Sequence, residues 1–71
     1  MKFNHSKLLG RIRECGFTHK SLAKTLGISA STLSAKVNNK NVFTATEIAT
    51  ICRTLNIAKH DIDEYFFVEI V

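Results

Sequence analysis

Seventy-one residues, 45% of them hydrophobic and 23% charged, make one small domain that can fold alone but has little surface to spare for an active-site cleft. The ordinary apolar share excludes a disordered chain. The formal net charge of +4 is unevenly spread: up to residue 42, eight lysines and arginines stand against Glu14 alone, and beyond it Arg53 and Lys59 stand against five carboxylates.

The opening residues lack the apolar core of a signal peptide, and the apolar run at residues 65–68 is too short to span a bilayer. A cytoplasmic protein is expected. The helical period begins at once. Leu8, Leu9, Ile12 and Cys15 recur at spacings of three and four, which predicts a first helix over residues 6–15. Gly16 follows it as a left-handed cap, and Phe17 then plugs the core. Thr18 can cap a second helix over residues 19–26, with Leu22, Ala23 and Leu26 inward and Gly27 ending it.

Ser29 can cap a third helix over residues 30–38, where Leu33 and Val37 lie one turn apart. Asn38, Asn39, Lys40 and Asn41 form its exit loop, since asparagine tolerates the left-handed backbone of such a turn. Thr44 with Glu47 three residues on reads as a capping box opening a fourth helix over residues 45–55, striped by Ile48, Ile51, Cys52 and Leu55. A fifth helix is expected over residues 59–66, with Ile62, Tyr65 and Phe66 inward. The apolar tail 67–71 has two readings: it completes the core, or Phe67, Val68, Ile70 and Val71 form a strand or patch that pairs with a second chain. The expected fold is therefore an all-α bundle of about five helices.

Residues 19–38 carry the functional signal. Two helices joined by a short turn pack closely only if the first offers a small residue at the crossing and the chain can turn sharply after it. Ala23 and Gly27 meet those needs, with Leu22, Leu26, Ile28 and Leu33 apolar where such a unit faces its core. This is the spacing of the DNA-binding helix-turn-helix, whose second helix enters the major groove.

The stretch from Thr18 to Ser29, continued by Glu47-Ile48-Ala49 and Leu55-Asn56-Ile57, resembles the core signature of the lambda repressor/Cro superfamily. Residues 34–39 and Tyr65-Phe66-Phe67 are similar to a subgroup of small proteins encoded by prophages of Gram-positive bacteria, Cro-like regulators and modulators of repression. The resemblance implies a five-helix fold and a role in a phage genetic switch, with some members acting on the repressor protein rather than on DNA. The chain departs from the superfamily pattern at several points. His19 stands where members carry a phosphate-fixing glutamine, and Ile12 and Val37 replace an arginine–glutamate pair. Lys36 occupies an apolar position, so Val37 is expected to take over its core contact.

The outward positions of the third helix are Ala30, Ser31, Thr32, Ser34 and Ala35, none of which can make the bidentate base contact of arginine, glutamine or asparagine. With His19 and Ser29, and with Lys20, Lys24, Lys36, Asn38, Lys40 and Asn41 toward phosphates, they form the candidate binding surface. Double-stranded DNA is the first partner this surface suggests, through Cro-like transcriptional regulation. The alternative is an antirepressor that covers the DNA-binding surface of a phage repressor; a homodimer is compatible with either. His5, His19 and His60 with Cys15 and Cys52 lack metal-ligand spacing, and the cysteines read as reduced core residues. No nucleophile–base arrangement or phosphate loop is evident, so neither enzyme activity nor a cofactor is expected.

Overall fold

The computed structural model describes residues 2–70. It is all-α, with α1 at Ser6–Glu14, α2 at His19–Leu26, α3 at Ala30–Val37, α4 at Ala45–Thr54 and α5 at Ile62–Phe66. The expected fifth helix is divided: Lys59–Asp61 is a 3-10 turn that leads into α5. Ala58 offers no side-chain cap, and its carbonyl accepts the Asp61 amide at 2.9 Å, the tight closure of a 3-10 start.

Side-chain capping sets the starts of α2, α3 and α4. Thr18 Oγ1 accepts from the Ser21 amide, Ser29 Oγ from Thr32 and Thr44 Oγ1 from Glu47, each at 3.1 Å. Each such cap stabilises a helix start by about 1 kcal/mol. The ends share a different device. Gly16, Gly27, Asn39 and Asn56 have positive φ, and the next amide reaches back five residues in each case: Phe17 to Ile12, Ile28 to Ala23, Lys40 to Ala35 and Ile57 to Cys52. This closes the last turn and returns an apolar residue to the core at Phe17, Ile28 and Ile57. The first three sites are legible as turn residues; Asn56 is an addition.

Leu8, Ile12, Leu22, Ala23, Leu33, Val37, Ile51, Leu55, Ile57 and Phe66 form the buried core. Leu26, Ile48, Cys52 and Tyr65, expected inside, are partly buried at its edge. The most extensive helix contact is between α2 and α3. Ala23, 1% exposed, supplies the small residue that this close packing requires.

The tail pairs with the amino-terminal segment of its own chain. Phe3 and Glu69 form an isolated antiparallel bridge, flanked by Asn4 N–H to the Val68 carbonyl at 2.7 Å and Ile70 N–H to the Lys2 carbonyl at 3.0 Å. Residues 68–70 thus spend backbone groups on the chain's own amino-terminal segment, although Phe67, Val68 and Ile70 keep about half their surface in solvent. Val71, part of the same expectation, lies outside the described residues.

Candidate interface on the second and third helices

The α2 start is rigid because Thr18 and Ser21 cap each other: the Ser21 hydroxyl also accepts the Thr18 amide at 2.8 Å. From this base α2 presents Lys20 and Lys24 to solvent, with His19 half-buried beside α3. A shallow groove between the elements is lined by His19, Ala30, Ser31, Ser34, Ala35, Asn38 and Lys40. The structure therefore brings together most of the residues expected at the binding surface.

Exposure is uneven within it. Ala30 and Ser31 are open, whereas Thr32, Ser34 and Ala35 are half-buried. Ser29 and Thr32 hydroxyls bond each other at 2.9 Å, and Asn38 Nδ2 donates to Ser34 Oγ at 3.3 Å. These polar groups are partly spent on one another, so the face offers short side chains with few free hydrogen-bonding groups.

Lys36 does not belong to this surface. It is 8% exposed, and its ammonium donates to the Val42 carbonyl at 2.9 Å and to Glu47 Oε1 at 2.9 Å. The expectation that it contacts phosphate is corrected: the position faces the start of α4, where the capping-box carboxylate draws the ammonium inward. Val37 is buried next to it, as expected, and Ile12 is buried too, so the apolar replacements of the ion pair both lie in the core. Burial raises the Glu47 pKa, but the Thr44 amide and the Lys36 ammonium outweigh it and hold the carboxyl below its ordinary range.

Among the described residues Lys20, Lys24 and Lys40 have no carboxylate partner. Two basic residues of α1 are engaged instead: Lys7 pairs with Glu64 and lies 4.9 Å from the Tyr65 ring centre, and Arg11 Nε donates to the Leu55 carbonyl at 3.0 Å. Three unpaired cations therefore lie on or beside the α2–α3 face. His5 carried no signal in the sequence beyond its failure as a metal ligand. It is buried, with Nδ1–H donating to the Val37 carbonyl at 3.0 Å and its ring edge-on to Phe43.

Cys15 and Cys52 are both free and half-buried, and burial pushes the Cys52 thiol pKa up. No cluster of histidine, cysteine or carboxylate among the described residues is placed to hold a metal ion. No helix among them is long and apolar enough to cross a membrane.

Comparison with known proteins gives two findings. A family model described as "Protein of unknown function (DUF739)" matches residues 1–69. The chain is 36% identical, with a TM-score of 0.78, to the solution structure of the modulator of repression (MOR) of the temperate bacteriophage TP901-1 from Lactococcus lactis, covering 94% of this chain and 90% of that one. No curated protein matches.

Proposed function

The chain belongs to the DUF739 family, and from that premise we propose that it is a modulator of repression, a small phage regulator that binds a repressor protein and covers its DNA-binding surface. The observation that carries the reading is similarity to the TP901-1 modulator along nearly the whole length of both chains. At 36% identity the likeness extends beyond shared architecture to sequence.

The α3 face agrees with it. In a helix-turn-helix unit α3 would be the recognition helix, yet it presents Ala30 and Ser31 in the open and Ser34 and Ala35 half-open, with no side chain suited to bidentate base reading. Short side chains let a partner helix approach closely. A repressor laying its own DNA-reading helix there would lose operator contact by steric exclusion.

Cro-like DNA binding, the first choice on sequence, becomes the second reading. It is favoured by Lys20, Lys24 and Lys40, which flank the face without carboxylate partners. The readings separate on Ala30→Glu and Ser31→Glu, at exposed positions where helix and core should survive. Under the proposal, both variants keep a native circular dichroism spectrum and lose repressor binding by at least about tenfold, the effect of roughly 1.4 kcal/mol. Unchanged repressor binding, with binding to the control-region DNA lost, would replace the proposal by the Cro-like reading.

A further inference from the structure

The amino-terminal segment has partners on both sides. One edge of Phe3 faces the tail, where Asn4 N–H and Ile70 N–H make the flanking bonds. The Phe3 peptide groups themselves point the other way, as they must in this kind of antiparallel pair. There Asn39 meets them. Its side-chain carbonyl accepts Phe3 N–H at 2.8 Å, and its side-chain amide donates to the Phe3 carbonyl at 2.8 Å. One asparagine side chain replaces a third strand and satisfies an edge that would otherwise be open.

Asn39 sits where α3 ends. Its φ of 65° turns the chain, and the following Lys40 amide closes on Ala35 at 2.8 Å, with Asn41 on the same carbonyl at 3.3 Å. The same residue therefore shapes the α3 exit loop and holds the terminal ribbon. A second path runs through the rings. Phe3 packs edge-on against Phe67, Phe66 edge-on against Phe43 and Phe43 edge-on against His5, while Phe66 and Phe67 meet at a tilt of 50°, with centroid separations of 5.4–6.4 Å. His5 returns to α3 through the Val37 carbonyl at 3.0 Å, closing the circuit.

The circuit is not tightly filled. It borders a solvent-open cleft of about 120 Å³ between Phe3, His5, Val42, Phe43, Phe66 and Phe67. Side chains lining such a cleft have solvent rather than protein on one side, so fewer apolar contacts hold this end closed than hold the packed core.

We infer that the terminal ribbon and the α3 exit loop open and close as one unit, with Asn39 as its latch, so that displacement of residues 68–70 is transmitted to Lys40 at the edge of the α3 face. Linkage makes the coupling reciprocal: whatever displaces the tail weakens binding at that edge, and whatever binds the ordered loop holds the tail down. This holds whatever molecule the face binds.

Backbone amide exchange of the full chain, read residue by residue by NMR, tests it. Asn39→Gly removes both bonds to Phe3 while keeping the positive φ that glycine accepts readily. Ile70→Pro removes the donor to the Lys2 carbonyl. Asn39→Gly is expected to speed exchange at Asn4 and Ile70, and Ile70→Pro at Lys40, each by about tenfold, with the Leu55 amide at the C-cap of α4 unchanged. Acceleration confined to Phe3 in Asn39→Gly would overturn the coupling. Equal acceleration at Leu55 would also overturn it, since that is global loss of stability. Should Ile70→Pro fail to fold, Asn39→Gly decides alone.

Discussion

Replacing Lys36 by methionine keeps an unbranched apolar stem of similar reach and removes the ammonium. Two bonds are lost, to the Val42 carbonyl and to Glu47 Oε1, each 2.9 Å long. Glu47 then keeps the Thr44 amide at 2.8 Å but not its cation. Breaking a fully buried pair costs about 3–5 kcal/mol. Here the side chains are 10% and 14% exposed and the carboxylate retains a donor, so about 2–3 kcal/mol is expected. For a chain of 71 residues this lowers Tm by roughly 10–20 °C, measurable by far-UV circular dichroism and urea titration. Combined with Glu47→Gln, the loss should be smaller than the sum of the single losses by about 1–2 kcal/mol, the signature of direct coupling. A Lys36→Met variant that melts with the parent, or single effects that add, would refute the buried-pair account.

The lowered Glu47 pKa gives a pH effect of definite sign. The folded value lies below the unfolded one, so this contribution is present above the ordinary value of 4.5 and is lost as pH falls through the folded value. Glu47→Gln should therefore flatten the acid limb of a urea-midpoint series and leave its neutral-to-alkaline part parallel to the parent; an unchanged acid limb would contradict the assignment. Two glycines should respond in opposite directions although a Cβ at either meets nothing within 4 Å. Gly27→Ala, at φ +73°, should destabilise by about 1–2 kcal/mol, whereas Gly10→Ala inside α1 should stabilise by about 0.5–1 kcal/mol. Thermal melts of the two variants check both signs.

Local chemistry was legible in the sequence, because caps and turns are decided within a few residues. Thr18, Ser29 and Thr44 announce the starts of α2, α3 and α4, and the structure places them there. Long-range pairing was not. The direction of Lys36 depends on Glu47, eleven positions on, and nothing in a helical period distinguishes a lysine that snorkels out from one drawn inward by a carboxylate. Asn39 was readable as a left-handed turn residue but not as the partner of Phe3, thirty-six residues away. The tail was ambiguous for the same reason: an apolar, β-prone end looks alike whether its strand partner belongs to its own chain or to another.

The inward turn of Lys36 also bears on what the α3 face can bind. With that charge neutralised by Glu47, the unpaired cations bordering the face are Lys20, Lys24 and Lys40 among the described residues. If these three held DNA phosphates, affinity would scale with salt to a power near −2.7, a loss of roughly 40-fold between 50 and 200 mM. A repressor's DNA-reading surface is itself expected to be basic, so in the modulator reading the same lysines repel the partner, and the contact must come from close packing over Ala30 and Ser31 and from acids the partner supplies. Screening then relieves repulsion as well as attraction. Repressor affinity should change by less than about threefold over that salt range, and Lys40→Ala should leave it unchanged or raise it. Isothermal titration at the two salt concentrations reads both quantities. If control-region DNA titrated in place of the repressor binds with a steep fall in affinity with salt, reduced by about one power in Lys40→Ala, the face binds a polyanion, and the order of the two functional readings would reverse.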